Sequence, residues 1–345
     1  MCFRTTLRQF YLFFFIVHLA IAAKSTASKK SSCAFKIKYV EVLVNHRKKE
    51  IVPFEYVDPA DYAHLVPTGE EVKDVVNEVS DMVSSHLEAP KELTVVVHDK
   101  DDNMSLSPDL MQLTVPAVQV ENIFAKKTVE SDPTHKKTSY AHEFGHALYQ
   151  INIFRFLPKL NELRAAVYKL REKRADQLMG EKVKDRKKKE ADYVRIVNAI
   201  NAADPAYNEV FADTVAALYK NDPEAMVKCI HSKKCGSLTY EGRSLNLKDY
   251  VADEKKWKFS SNDPHLMLSP SRPLVGKYLK NGPPGWVLER VLKVIASQVQ
   301  ENYTQLIAAK GDVNVTPGYV KEMNRRFIKA LEEEFQRCPS VSACP

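Results

Sequence analysis

The stretch that decides the fold reads Ser139-Tyr-Ala-His142-Glu143-Phe144-Gly145-His146-Ala-Leu-Tyr149. Residues four apart on a helix lie one above the other, so the imidazoles of His142 and His146 can both reach one metal ion at about 2.1 Å. Glu143 follows the first histidine and points toward the open side of such a metal, where a carboxylate can take a proton from a bound water. The pattern predicts a helical metal site. The alternative is a structural helix that carries two histidines by chance.

The residues around this stretch favour a helix. Asp132 or Ser131 can cap its start, Pro133 suits the first helical position, and the pattern carries on through Tyr149. Three residues give the helix an apolar side for the core, namely Phe144, Ala147 and Leu148.

A catalytic zinc needs a third protein ligand and an open fourth position. The chain after His146 lacks the nearby glycine and third histidine of metzincins, so we expect a carboxylate on a later helix. Glu209 and Asp213 are four apart in Asn-Glu-Val-Phe-Ala-Asp and share a helical face. Glu209 can bind the metal while Asp213 accepts the distal N–H of a ligand histidine. The competing ligand is Glu162, which has Ala166 rather than a carboxylate four positions on.

These residues resemble the gluzincin zinc metallopeptidases. The His-Glu-Phe-Gly-His stretch with the later Asn-Glu-x-x-x-Asp looks like the thermolysin-type clan, and Glu-x-x-Ala-Asp also resembles the CAAX-prenyl-protease-like family. The resemblance spans roughly residues 93–220. It implies one zinc ion, a peptide or protein substrate, and hydrolysis by Glu-assisted attack of a zinc-bound water. Two departures leave the family unassigned: 63 positions separate His146 from Glu209, and the membrane helices of the prenyl proteases are absent.

Hydrolysis also needs a donor for the developing oxyanion. In such enzymes a His, Tyr or Arg from the C-terminal part often supplies it, and His265 is our first candidate, in a proline-bounded stretch downstream of the metal helices. Arg272 and Tyr207 are further candidates. The alternative for His265 is an ordinary loop residue bonded to backbone.

The pattern of the whole chain predicts an α+β fold. Alternating Phe35, Ile37 and Tyr39 indicate a strand that Ile51 to Val57 could pair with, and Leu93 to His98 reads as a buried strand. Helical spacing runs from Glu70 to Leu87. Asp99 to Pro108 reads as a loop. Met111 to Val120 reads as a strand, at an edge where it either pairs with an extended substrate or is a plain edge strand.

After the metal-site stretch the chain turns helical. We expect a helical arm over about 158–200 with a basic tip, because Lys182 to Lys189 holds six basic residues. The tip is either a solvated end of a hairpin or a weak contact with an acidic surface. An irregular segment over 221–285 then precedes two closing helices, from Trp286 to Ala309 and from Tyr319 to Gln336.

The predicted organisation is a small N-terminal mixed sheet with a helix, the His-Glu-x-x-His helix with an inserted helical arm, and a mainly helical C-terminal part. The boundaries are 1–22 for a signal peptide, 23–33 for a linker, 34–130 for the α/β subdomain, 131–220 for the zinc-binding helices with the arm, and 221–345 for the C-terminal subdomain.

The N-terminus has the pattern of a secretory signal. Arg4 and Arg8 precede a short apolar run, and small residues end at Ala22 or Ala23, which predicts a secreted or periplasmic protein. An uncleaved anchor is the alternative. Two cysteine pairs are six apart and could each form a disulfide, Cys229–Cys235 and Cys338–Cys344, while Cys33 is left over. His231 inside the first loop suggests a second zinc site, for which no fourth ligand stands near.

The net charge and composition give little evidence about function. The net charge of +7 is a mild excess over 345 residues, and the chain has no nucleic-acid motif. No oligomeric state is predicted. The main rival function is a non-catalytic binding protein on a gluzincin scaffold in the cell envelope. A weaker rival is an export scaffold whose basic arm grips an acidic surface.

Overall fold

The fold is α+β, as predicted, and is described from a computed structural model. The structure describes residues 34–41, 44–45, 50–51, 55–56, 63–98, 104–117, 120–122, 127–128, 133–179, 186–231 and 240–344. The predicted signal peptide, the linker and Cys33 lie outside these residues. Among the described residues, none of the helices has both the length and the apolar character that a membrane crossing requires.

The strands form one mixed sheet and two small hairpins. They are β1 (Ala34–Glu41), β2 (Val44–Asn45), β3 (Glu50–Ile51), β4 (Glu55–Tyr56), β5 (Glu92–His98), β6 (Ser105–Ser107), β7 (Gln112–Pro116), β8 (Val120–Asn122) and β9 (Lys127–Thr128). The main sheet has the order β4-β1-β5-β7-β6. The inner pairs β1–β5 and β5–β7 are parallel, and the outer pairs β4–β1 and β7–β6 are antiparallel. The predicted pairing of the Ile51 to Val57 segment with the first strand is confirmed at Val40 and Tyr56.

The helices follow the sheet in the chain. They are α1 (Val66–Val83), α2 (Pro133–Asn152), α3 (Leu160–Met179), α4 (Arg186–Ala203), α5 (Pro205–Lys220), α6 (Ala225–His231), α7 (Pro264–Met267), α8 (Arg272–Lys277), α9 (Pro284–Ala308) and α10 (Pro317–Arg337). The two predicted closing helices are confirmed as α9 and α10. The predicted metal-site helix is confirmed as α2, and it begins at Pro133 as expected.

One hydrophobic core runs from the sheet into the helices. Helix α1 contributes a fully buried stripe at helical spacing, whose members are Val72, Val75, Val76, Val79 and Val83. It packs on the sheet, where Val95 and Val97 of β5 are also fully buried, and it contacts α2 and α9 on the helical side. The core therefore fixes α2 relative to the sheet through α1.

Helices α2 and α5 approach each other at Gly145 more closely than a residue with a Cβ atom would allow. A Cβ added at Gly145 of α2 would lie 2.8 Å from the Cα of Ala212 and 3.2 Å from the Cβ of Val215, both on α5. The absence of a side chain at Gly145 lets the two backbones approach. This contact stands one residue before His146 and three residues after Glu209, so it sets the distance between the helices that carry the predicted ligands.

The helices α3 and α4 form the predicted arm region. They contact each other, and both also contact α9. Asp204, which directly precedes α5, connects the arm to α2 by hydrogen bonds. Asp204 accepts from Tyr149 Oη at 2.6 Å and from Arg164 Nη2 at 2.6 Å. Residues 182–185 of the basic tip lie outside the described part of the chain, and Arg186 to Lys188 at the start of α4 are exposed. A contact of the tip with an acidic surface stays a prediction.

One strand prediction is wrong. The sequence predicts the segment from Met111 to Val120 at an edge, yet β7 lies between β5 and β6. Pro116 is the last residue of β7, so its missing N–H interrupts no internal part of the ladder. The edge belongs to β6, which occupies part of the predicted loop from Asp99 to Pro108. Strand β6 also packs against α2.

The predicted Cys338–Cys344 disulfide is confirmed. The partner in the other predicted bridge, Cys235, lies outside the described residues. The sulfur of Cys229 is 3.0 Å from Ser139 Oγ on α2. A disulfide between Cys338 and Cys344 is of the kind that persists in oxidising compartments.

Candidate metal centre

Helices α2 and α5 bring the three predicted ligands together. The two Nε2 atoms of His142 and His146 are 3.2 Å apart. The carboxylate of Glu209 faces both, with Oε2 at 3.5 Å from His142 Nε2 and Oε1 at 3.6 Å from His146 Nε2. The three side chains are 6%, 12% and 13% exposed. Within the described part of the chain, these residues form a group that could hold a metal ion.

The spacing of these atoms fits a tetrahedral metal. Bonds of about 2.0–2.1 Å at the tetrahedral angle place neighbouring ligand atoms about 3.4 Å apart. The two Nε2 atoms, 3.2 Å apart, lie close to that value, and each of the two Glu209 oxygens is at a similar distance from one histidine, 3.5 and 3.6 Å. Two imidazole nitrogens and one carboxylate oxygen are also a donor set that zinc accepts.

Each histidine is oriented by an oxygen acceptor on α5. His146 Nδ1 donates to Asn208 Oδ1 at 2.9 Å, and His142 Nδ1 donates to Asp213 Oδ1 at 3.1 Å. The second contact is the arrangement predicted for Asp213. The first involves a residue for which the sequence suggested no role. With the protons on Nδ1, both Nε2 atoms present lone pairs toward each other.

Two lone pairs and a carboxylate at these distances repel one another, because all three are acceptors. A cation placed between them removes the repulsion and turns each acceptor into a ligand. The pKa of His142 is lowered by burial and by the charge of Arg243, which keeps its imidazole neutral, as a metal ligand must be. Burial would raise the pKa of Glu209, yet neighbouring positive charge, including that of Arg243, outweighs it and lowers the pKa overall, so the carboxylate is ionised.

The two predicted catalytic residues lie beside this group. Glu143 is half-buried on α2, and its charge contributes to raising the pKa of Arg243. His265 is on α7 with its Nε2 at 3.4 Å from Glu209 Oε1, and its side chain is 43% exposed. Its Nδ1 donates to Asp263 Oδ1 at 2.8 Å. Burial lowers the pKa of His265, but the hydrogen bond to Asp263 and the charge of Glu209 raise it overall.

Comparison of the chain with family models, with curated proteins and with solved structures finds no match. The geometry of the site is therefore the basis for its assignment.

The remaining residues that the sequence suggested, one as a metal ligand and two as oxyanion donors, lie outside the group of three ligands. Glu162 is exposed on α3 and lies outside the ligand group. Tyr207 is fully buried, and its Oη accepts from Asn302 on α9 at 3.4 Å. Arg272 is fully buried and donates from Nε to Asp213 Oδ2 at 2.9 Å. Of the three proposed oxyanion donors, His265 alone has a partly exposed side chain.

Arg243 is a residue of the site that the sequence did not suggest. It ends a short 3₁₀ turn, Tyr240–Arg243, and its side chain is 6% exposed. Its guanidinium bonds to both oxygens of Asp213 and donates from Nη2 to Glu209 Oε2 at 3.2 Å. The same Nη2 is 3.3 Å from each ring nitrogen of His142. No helical or strand periodicity links position 243 to α2 or α5, so only the tertiary fold reveals it.

Asp213 is the most strongly perturbed carboxyl of the centre. Burial alone would raise its pKa, but the charges of Arg243 and Arg272 and the hydrogen bond from His142 hold the pKa far below its usual range. Its folded-state pKa is therefore below the unfolded value of about 3.9. Such a group stabilises the fold above the unfolded pKa, and this stability is lost as the pH falls toward the folded pKa.

We expect the metal-free chain to lose this contribution progressively below about pH 4. At neutral pH the Asp213→Asn variant should unfold at a lower urea concentration than the parent chain, and the difference should shrink as the pH falls. Urea unfolding of both chains across the acid range measures it. The matched control is Asp312→Asn, at an exposed ion pair with Arg195 that is worth little. A difference between parent and Asp213→Asn that is independent of pH would contradict the assignment.

Proposed function

We propose that this chain is a zinc metallopeptidase that hydrolyses peptide bonds. One zinc ion would be held by His142, His146 and Glu209. The observation that carries the proposal is the convergence of two Nδ1-anchored imidazoles and a carboxylate at separations of 3.2 to 3.6 Å, next to Glu143 on the same helix.

The chemistry divides between the ion and the chain. A zinc ion held by these three residues would supply an open fourth position, polarise a carbonyl and lower the pKa of a water molecule. Glu143 accepts the proton of the attacking water on its carboxylate and passes it to the leaving amine. His265 donates from Nε2 to the oxyanion that develops, and its raised pKa favours the form in which Nε2 carries a proton. Asp263 holds the imidazole in place through Nδ1.

Strand β6 supports a peptide as the substrate. It ends the main sheet among the described residues and packs against α2. An extended peptide can add to such an edge by main-chain hydrogen bonds, which would bring its backbone past the metal-site helix. The role proposed from sequence for the Met111 to Val120 strand thus passes to Ser105–Ser107.

Export from the cytoplasm is part of the proposal. The signal-like N-terminus and the Cys338–Cys344 disulfide support a secreted or periplasmic protein.

The first experiment is the metal content of the purified protein. We expect about one zinc per parent chain and far less in Glu209→Ala, because a two-histidine site lacks the third ligand that zinc needs. The matched control is Glu162→Ala, which removes the competing carboxylate of α3 and should keep about one zinc. Elemental analysis after dialysis against excess zinc and then against zinc-free buffer gives the result. No zinc in the parent, or full zinc in Glu209→Ala, would overturn the three-ligand site.

A further inference from the structure

We propose that Arg243 is a built-in counter-cation of the metal centre: it neutralises Glu209 and Asp213 in the metal-free chain and thereby lowers the affinity for the dication. The inference rests on the metal site of the proposed function and is independent of hydrolysis. It makes Arg243 a positioning residue, since it acts through the ligands rather than on a substrate.

The contacts of Arg243 carry the inference. Its Nε is 3.1 and 3.2 Å from the two oxygens of Asp213, and Nη2 bonds to Asp213 Oδ1 and to Glu209 Oε2. One guanidinium group thus bridges a metal ligand and the carboxylate that orients a second ligand. A metal ion that uses Glu209 must share that carboxylate with a charge already bound to it.

Arg243 does not satisfy the histidines in the way a metal would. Its Nη2 is equally far, 3.3 Å, from Nδ1 and Nε2 of His142. Because Nδ1 of His142 donates its proton to Asp213, only Nε2 carries a lone pair, and Nη2 lies no closer to it than to Nδ1. Arg243 therefore balances charge at the centre, and its 3.3 Å contact with His142 Nε2 is much longer than the bond of about 2.1 Å that a zinc ion would make there.

The four buried groups that bond to one another carry balanced charges, and Glu143 and the Asp263–His265 pair lie beside them. Glu209 and Asp213 contribute two negative charges, and Arg243 and Arg272 contribute two positive charges. A dication bound to Glu209 stands beside the positive charge of Arg243 in a region of low dielectric, where like charges repel strongly. Removal of Arg243 reverses the balance, because the carboxylates are then in excess until a dication arrives.

The fold holds Arg243 in this position. Gly242, the preceding residue, lies so close to the 3₁₀ turn Ser269–Ser271 that an added Cβ would be 2.4 Å from Ser269 Oγ. A Cβ at Gly276 of α8 would meet the backbone oxygen of Leu245 at 1.5 Å. Two glycines thus let the segment 242–245 dock tightly, so the guanidinium is placed by packing as well as by charge.

Arg272 provides a matched comparison. It is also fully buried and also binds Asp213, through Nε at 2.9 Å. No hydrogen bond joins it to Glu209 or His142 among the described residues, and its Nη1 and Nη2 have no hydrogen-bond partner there. Replacing either arginine removes one buried charge from the same carboxylate, but only Arg243 contacts the ligands themselves.

The experiment compares the parent chain with Arg243→Met, Arg243→Lys and Arg272→Met. Methionine keeps an unbranched apolar stem and removes the charge, whereas lysine keeps the charge without the planar fork. Zinc affinity is measured by competition with a chromophoric chelator, and the Tm of each metal-free chain is measured by circular dichroism. Neither readout depends on catalysis.

Arg243→Met should bind zinc about tenfold more tightly than the parent, a change that corresponds to about 1.4 kcal/mol of relieved charge repulsion. Its metal-free Tm should fall, because a buried carboxylate loses its partner. Arg243→Lys should keep an affinity near that of the parent. Arg272→Met should also lose metal-free stability but change the affinity much less.

An affinity that falls in Arg243→Met, or that is unchanged, overturns the inference while the zinc site of the proposed function stands. If neither the parent nor Arg243→Met binds zinc, both proposals are overturned. If Arg272→Met tightens zinc binding as much as Arg243→Met, the effect is one of net charge, and the specific role of the contact with Glu209 is overturned.

Discussion

Replacement of Glu143 by glutamine is expected to lower peptide hydrolysis by about 10²- to 10⁴-fold, the range known for a general acid–base residue. The amide has nearly the same shape but accepts no proton at neutral pH, so the attacking water keeps its proton. Zinc content should stay at about one per chain, because the ligands are His142, His146 and Glu209 rather than Glu143.

Two measurements on the same sample decide this result. Hydrolysis of a pool of fluorogenic peptides is followed beside the zinc content determined by elemental analysis. The matched control is Glu172→Gln, which makes the same change at an exposed position of α3 and should keep full activity. A parallel loss of zinc and activity would indicate damage to the site rather than removal of a base.

The same variant separates the enzyme from its rival. A non-catalytic binding protein on this scaffold would keep its function in Glu143→Gln, since the metal and the surface around it are unchanged. A parent chain that binds zinc, hydrolyses no peptide of the pool and behaves as its Glu143→Gln variant does in every assay would favour that rival.

The site residues on α2 and α5 can be predicted from sequence because helical spacing depends only on positions close together in the chain. Four positions separate His142 from His146 and Glu209 from Asp213, and that spacing alone places each pair on one face. The choice of Glu209 over Glu162 also followed from a local feature, the carboxylate four positions on. The structure brings Glu209 to the histidines and leaves Glu162 exposed.

The residues that sequence reasoning missed reach the site through tertiary contacts. Arg243 lies 34 positions after Glu209 in a segment without periodicity, and its docking depends on close approaches at Gly242 and Gly276. Asn208 had a weak signal, since it stands directly before Glu209. Asp263 had a clearer one, because an aspartate before Pro264 is a typical helix cap, and its side chain accepts from His265 N at 3.0 Å.

The wrong edge-strand prediction for Met111 to Val120 also arises because the order of strands in a sheet is a tertiary feature. Pro116 suggested an edge strand, and proline does occur there, but it is equally compatible with the end of an inner strand. The three-residue strand Ser105–Ser107 has too few residues to show alternation. Pairing partners decide which strand is outermost, and a single sequence does not contain them.

A side chain at Gly145 is expected to separate the metal helices. The Cβ of Gly145→Val would lie 2.8 Å from the Cα of Ala212, and a backbone atom inside a helix moves only if the helix moves. Val adds two methyl groups to that clash. Overpacking of a core costs about 1 to 3 kcal/mol of stability and sometimes more. The overpacked position in Gly145→Val lies between α2 and α5, which contact each other extensively.

Gly145→Val should reduce metal binding more than it reduces the stability of the fold. Metal sites tolerate deviations of about 0.2 Å in ligand distance, and the ligand atoms now stand 3.2 to 3.6 Å apart across the two helices. A shift of α5 large enough to relieve the contact carries Glu209 away from His142 and His146. We therefore expect Gly145→Val to retain far less than one zinc per chain, and Gly145→Ala to show a smaller loss of both zinc and stability.

Urea unfolding and elemental analysis of the same preparations test this expectation. The matched control is Gly318→Ala, in the first turn of α10, where an added Cβ meets only Thr316 Oγ1 at 3.7 Å. That change should keep the zinc and raise stability by about 0.4 to 1 kcal/mol, because it restricts the unfolded chain. Folded Gly145→Val with a full zinc content would show that the close approach at Gly145 does not set the ligand spacing, and the metal helices would have to be positioned by α1 and the arm instead.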